Sequence, residues 1–278
     1  MRSISYQTLL ERAAVLSGIK ADAIQNEDAA TLGVGLNRAL RHAWEFAFWP
    51  EVTDCTEFRY RPDYAAGTTY AQGTEVYDPT SAAYYRAVQA STGESLADTA
   101  YWLPLAGTRW DIYVPWGAGG LEEGAMPRRC TAEDPRVTPW TPDLDFSISI
   151  DGIHLLRDVP KSVWIQYRRP CPDWEGAAFD ATATYAAGVQ RYFGGDFYVC
   201  LATTTAGESP TSAAAKWAKR EIPWRFGDYA VHSAAADKHR TDGQLEKAIA
   251  EEVKAEDRLY DQLVIHETQT RQQRKTRH

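Results

Sequence analysis

The chain has 278 residues, a formal net charge of −8, and 44% hydrophobic and 24% charged residues, a globular balance with room for two or three compact units. The negative charge argues against a general nucleic-acid-binding surface. Four scattered cysteines (Cys55, Cys130, Cys171, Cys200) without a C-x-x-C pair exclude a zinc knuckle or a disulfide-dense scaffold.

Ser5 can cap an amphipathic helix over 5–17, with Leu9, Leu10, Ala13 and Leu16 on one face and Gly18 ending it. A second helix is predicted from Asn26–Asp28 to Phe48 on the stripe Leu32, Leu36, Ala39, Leu40, Ala43 and Phe46, stopped by Pro50. Residues 52–61 read as a strand, and Leu105 to Arg129, rich in Gly, Trp and Pro, as a long loop or arm. Asp145–Ile150 alternates and meets the hairpin signal Asp151-Gly152, with further strands at Ile153–Leu156 and Val163–Tyr167. Phe226–Arg240 reads as a helix broken by Asp242-Gly243. A longer helix is predicted from Gln244 to about Glu267, burying Leu245, Ile249, Val253, Leu259 or Tyr260, and Leu263. The basic residues beyond it show no apolar periodicity and read as a flexible tail.

Two stretches interrupt this order and repeat one another. The first reads Tyr70-Ala-Gln-Gly73, Val76-Tyr77, Tyr84-Tyr85, Gly93-Glu94-Ser95, Trp102; the second reads Tyr185-Ala-Ala-Gly188, Arg191-Tyr192, Phe197-Tyr198, Gly207-Glu208-Ser209, Trp217. Short aromatic runs between Gly and Asp-Pro turns predict a small antiparallel β unit for each. The expected fold is α+β: a helical body of two N-terminal and two C-terminal helices, a β-hairpin section, and two small antiparallel β insertions. The body takes 1–62, 106–175 and 222–268, the inserts 63–105 and 176–221, and the tail 269–278.

No catalytic or metal-binding pattern emerges, so no enzyme activity and no cofactor are expected. The six histidines form no H-E-x-x-H or short ligand spacing, and there is no nucleophile elbow, Walker loop or dinucleotide glycine pattern. The N-terminus lacks the apolar core of a secretion signal, and no stretch nears about eighteen apolar residues, which predicts a cytoplasmic product without a membrane partner.

The repeats resemble small chitin-binding-type carbohydrate-binding modules over about 35 residues each. In that family exposed aromatics after the central Tyr stack on sugars, whereas here Arg86-Ala-Val88 and Val199-Cys-Leu201 stand there. The resemblance leaves Tyr77, Tyr85, Trp102, Tyr192, Tyr198 and Trp217 as glycan-contacting or structural aromatics, and carbohydrate binding as the alternative function.

The host segments include Trp44-Glu-Phe-Ala-Phe-Trp49-Pro50, Asp158-Val-Pro160 through Arg168-Arg-Pro170, Ile222-Pro223-x-x-Phe226 and Thr241-Asp-Gly243-Gln. In that order they resemble the head-to-tail adaptor (connector) proteins of tailed bacteriophages, over roughly 1–60, 128–172 and 222–270. The resemblance implies a virion protein in a ring of about twelve copies, docked beneath the portal protein and above a tail or nozzle protein. Double-stranded DNA would pass through its lumen without specific binding. Arg271, Arg274, Lys275 and Arg277 are the expected portal-docking residues, and Glu251, Glu252 and Glu256 the channel or inter-subunit face.

Overall fold

The computed structural model describes residues 2–58, 63–81, 83–105, 112–117, 120–150, 152–156 and 163–275. The chain forms two compact units, Met1–Val52 with Cys171–His278, and Thr53–Pro170. In chain order the first unit opens with β1 (Ser3–Ile4), α1 (Tyr6–Leu16) and α2 (Asn26–Phe46). The second unit holds β2 (Thr53–Phe58), β3 (Thr69–Tyr70), β4 (Glu75–Asp78), β5 (Ala83–Ala87), β6 (Ser91–Thr92) and β7 (Trp102–Leu105). It continues with β8 (Ile112–Pro115), β9 (Met126–Thr131), β10 (Phe146–Ile148), β11 (Gly152–Leu155) and β12 (Val163–Arg168). The first unit resumes with β13 (Gln190–Phe193), β14 (Asp196–Cys200), β15 (Trp217–Lys219), β16 (Ile222–Pro223), α3 (Gly227–Thr241) and α4 (Leu245–Lys275).

In the first unit, local signals place the helices and apolar stripes pack them. Ser5 Oγ accepts from Thr8 N at 3.2 Å and so caps α1. Gly18, at φ +81°, ends it in a conformation that suits glycine. Leu32, Leu36, Ala39, Leu40 and Ala43 of α2 are fully buried against Ala230, Val231 and Ala234 of α3. The two backbones come close at Gly35, where an added Cβ would lie 3.2 Å from Ala234 Cα. Trp49, wholly buried, donates Nε1 to Ala43 O at 2.7 Å, and the turn after α2 is held by Arg225 on Glu51 at 2.8 Å. Strands β1 and β16 pair antiparallel, tying the start of the chain to the entry of α3.

The second unit is built of strands. Strand β12 is central between β2 and β9, and β11 between β10 and β8. Val114, Leu121, Cys130, Ile153, Leu155, Val163 and Ile165 form its buried centre. Burial pushes the Cys130 thiol up to about 12, with Asp143 adding to the shift, so it is an inert core residue. All four cysteines are free thiols.

The expectation of a helical body carrying a β-hairpin section is overturned. Among the described residues, strands of both units form six small sheets, and the supposed hairpin section is two three-stranded sheets with a core of their own. The pairings that build them are remote in sequence: Val163 lies opposite Phe58 and Ile165 opposite Thr56, contacts that no local periodicity announces. The segment read as an arm likewise contains β8 and the first four residues of β9. Its glycines mark tight backbone approach: at Gly120 a Cβ would fall 1.9 Å from Pro115 O, while Leu121 N donates to that same oxygen at 2.9 Å.

Candidate functional site

Each repeat closes on an aromatic triad. Tyr64, Tyr70 and Trp102 form the first, with Tyr64–Trp102 and Tyr70–Trp102 centroids at 5.6 and 5.4 Å. Phe179, Tyr185 and Trp217 form the second, at 6.0 and 5.6 Å. Trp102 Nε1 donates to Glu94 O at 3.3 Å and Trp217 Nε1 to Glu208 O at 3.0 Å. The Tyr70 hydroxyl accepts from Ala65 N at 2.8 Å, and that of Tyr185 accepts from Asp180 N at 2.8 Å. Gly73 and Gly188 turn at φ +87° and +88°, each donating to the end of the hairpin's second strand, to Ala87 O of β5 and Cys200 O of β14, at 2.8 Å. The three-stranded sheets β4-β5-β7 and β13-β14-β15 then pair in the same register, Ala87 opposite Trp102 and Cys200 opposite Trp217.

This geometry turns the aromatics inward. Trp102 is 1% exposed and Trp217 5%; Tyr77 is buried, and Tyr85, Tyr192 and Tyr198 are half-buried in sheet faces. Arg191 lies over the Tyr185 ring, 4.9 Å from its centroid. Sugar stacking needs a free ring face, and neither indole offers one.

The second repeat is also a docking element for α1. Asp196 accepts from Tyr6 N at 3.1 Å and pairs with Lys219 Nζ at 2.5 Å. Gly195 O accepts from Gln7 N at 2.9 Å, and the Tyr192 hydroxyl donates to Gln7 Oε1 at 2.6 Å. Tyr6 meets Phe197 edge-on at 4.9 Å. A carboxylate on the first free amide of a helix suits its positive end. Burial pushes the Tyr6 phenol up to about 12, with Tyr192 adding to it.

The three α4 glutamates expected on the channel or inter-subunit face differ. Glu251 is turned in, accepting from Lys254 at 2.6 Å and lying 2.6 Å from His232 Nδ1 on α3. Burial opposes its ionisation, but the hydrogen bonds from Lys254 and His232 outweigh that and hold the carboxyl below the usual glutamate range. Glu252 accepts from Arg240 at 2.8 Å, and Glu256 is exposed.

The apolar face of α4 is in part the one expected: Leu259 and Leu263 turn inward, but Leu245, Ile249 and Val253 do not. Ala248, Ala255 and Leu259 are buried with Leu263 partly so, while Leu245, Ile249 and Val253 are 58%, 52% and 54% exposed. Tyr260 and Val264, at 57% and 62%, continue this exposed stripe, since spacings of four, seven and eleven residues return to one side of a helix. The buried side of α4 carries small residues, Ala248 and Ala255, and α3 buries Ala235 and Ala236 as well as the alanines it turns to α2. The helix also runs on through Lys275 instead of stopping at Glu267, because 268–275 contains neither Gly nor Pro. Positions 271, 274 and 275 extend it at the end, and Arg277 lies outside the described residues.

Two grooves flank α3. One of about 440 Å³ lies towards α2, lined by His42, Phe46, Tyr229, Glu252, Glu256 and Tyr260 among others. Its histidine packs on rings, 5.9 Å from Phe46 and 5.7 Å from Tyr229. The other, of about 310 Å³, lies between α1 and α3 and is lined by Glu11, Arg12, Val15, Leu16, Val231 and His232. Among the described residues no three His, Cys, Asp or Glu are grouped to hold a metal, and no helix is long and apolar enough to cross a membrane. No protein family, curated protein or solved structure matches the chain.

Proposed function

We propose that the protein is a head-to-tail adaptor of a tailed bacteriophage, a structural virion component that forms a ring under the portal. The observation that carries this reading is α4. It is 31 residues long, about 46 Å at 1.5 Å per residue. Its innermost contacts end near Leu263 and His266, the latter 6.0 Å from Trp49, and its last turns bear three basic positions. An amphipathic helix with an uncovered apolar stripe and a basic end is suited to assembly: the stripe to a protein neighbour, the end to an acidic groove of a larger ring. The order of the signature segments supports the same reading, with assembly, sealing and DNA passage as the work and no chemical step.

Carbohydrate binding is the weaker alternative, because the six repeat aromatics are used in cores and sheet faces. Light scattering of the protein mixed with the portal ring of the same phage tests the adaptor reading. A ring-sized complex with the portal, lost on removing residues 271–278, is the expected result. A protein that ignores the portal yet is retained on chitin or cellulose overturns it.

A further inference from the structure

The exposed stripe on α4 and the α1–α3 groove lie on opposite flanks of the first unit. Glu251 faces the groove residue His232 at 2.6 Å, and Tyr260, within the stripe, meets Phe46 of α2 at 5.4 Å. Residues 251 and 260 are nine apart, about two and a half turns, and so point to opposite sides of α4. The stripe is a ridge of side chains more than half exposed. The groove is concave and apolar-floored, with Val15 58% and Leu16 38% exposed beside the buried Val231.

We propose that a second copy of this chain seats its Leu245–Ile249–Val253 ridge in this groove, a heterologous contact that repeats from copy to copy. This deepens the adaptor reading and rests on it for the closure of the ring. The size is adequate for the centre of a contact: Leu245, Ile249 and Val253 together present on the order of 300 Å² of apolar surface, within the range of the largest patch a monomer leaves uncovered. That is more than a third of the roughly 800 Å² each partner contributes to a standard interface. Charge disfavours ridge against ridge. Exposed Glu246, Glu256 and Asp257 border the stripe, and two stripes together would set these acids side by side. The groove instead holds Arg12, paired with Asp228 at 2.6 Å, and His232, 2.6 Å from Glu251, with Glu11 as the further acid of its lining. Because ridge and groove are different surfaces on opposite flanks, the contact is not two-fold symmetric and propagates into a ring or a filament.

Complementation between two surface variants is the test. Ile249→Asp spoils the ridge and Val15→Asp the groove; both positions are more than half exposed, and melting curves check that each variant folds. Sedimentation velocity is run over rising concentration, alone and with the portal ring. The wild-type chain is expected to associate beyond a dimer in at least one of these settings, and each variant alone to do so at least tenfold more weakly. An equimolar mixture of the variants should give a dimer and nothing larger, since only one competent ridge meets one competent groove. The proposal is overturned if Val15→Asp assembles like the wild type, if the mixture stays monomeric while the wild type assembles, or if the wild type is monomeric in both settings. Portal binding unaffected by either variant keeps the adaptor reading and sinks this contact. Self-assembly with the complementation pattern but no portal binding keeps the contact and sinks the adaptor reading.

Discussion

In the first repeat the β4–β5 hairpin ends on Tyr77, Tyr84 and Ala83, and Tyr77 and Tyr84 pack on each other at 4.9 Å. In the second, the β13–β14 hairpin sets Tyr192, Phe197 and Asp196 at the matching positions, two residues closer in sequence through the turn Gly194-Gly195. That shorter, glycine-built tip fits against α1, where an added Cβ at Gly195 would come 3.1 Å from Gln7 Cβ. The aromatic triad and its glycine turns are alike in both copies. The hairpin tip decides whether the module is an autonomous small core or a bracket that fixes a helix. A short β unit of this kind is thus portable because its centre is local, and it gains a role in the larger fold through three or four residues at one end.

The largest test of this division removes the indoles. Trp102→Ala and Trp217→Ala each delete a buried ring and should cost about 3–5 kcal/mol in their repeat. Amide exchange read along α1 separates them: Trp217→Ala should release the protection of Tyr6 and Gln7, whereas Trp102→Ala should leave it as it was. Retained protection in the Trp217 variant would sink the idea that the second repeat braces α1. A smaller effect is expected from Asp196→Asn, about 2 kcal/mol, because a buried carboxylate leaves both Lys219 and the Tyr6 amide. Ala83 holds the matching place in the first repeat, and Ala83→Asp there should bring no gain in thermal stability. Gly73→Ala and Gly188→Ala come next, at about 1 kcal/mol each. Nothing lies within 4 Å of either added Cβ, so the cost is backbone strain alone and should be equal; urea midpoints that differ by more than that would break the equivalence.

Much of this was legible from residues. The Tyr-x-x-Gly turns and the distant Trp announced both modules, the Leu32–Ala43 stripe fixed the buried face of α2, and Ser5 and Gly18 bounded α1. What failed did so for a physical reason. On α4 Leu259 and Leu263 do turn inward, but in the first half of the helix the larger Leu245, Ile249 and Val253 looked like the buried face, and Ala248 and Ala255 are buried instead, as are the alanines of α3. The seven-residue spacing of those two alanines, opposite an alanine-rich helix, is the signal that could have found it. Strands β8 and β9 hid among glycines and prolines because short strands are specified by partners far along the chain. The bracket on α1 could not be read at all, since Asp196 and Tyr6 meet across 190 residues.

The smallest expected effect concerns acid. Glu208 accepts from Lys216 at 2.7 Å and from Thr205 N at 2.6 Å, and these bonds, that of Lys216 first, hold its carboxyl below the ordinary glutamate value of 4.5. A carboxyl depressed in the folded state favours folding in full above its unfolded value, and that contribution fades as the pH falls from there through the folded value. The second repeat should therefore lose some stability on acidification below about 4.5, while Lys216→Gln removes the larger cause and flattens the dependence. In the first repeat Tyr101 stands just before the indole where Lys216 stands in the second. Tyr101→Phe should accordingly leave the acid response of that repeat unchanged. Carboxyl-carbon NMR titration of Glu208 reads the shift directly. If its midpoint stays put in Lys216→Gln, the ion pair is only a surface contact, and the modules differ by their hairpin tips alone.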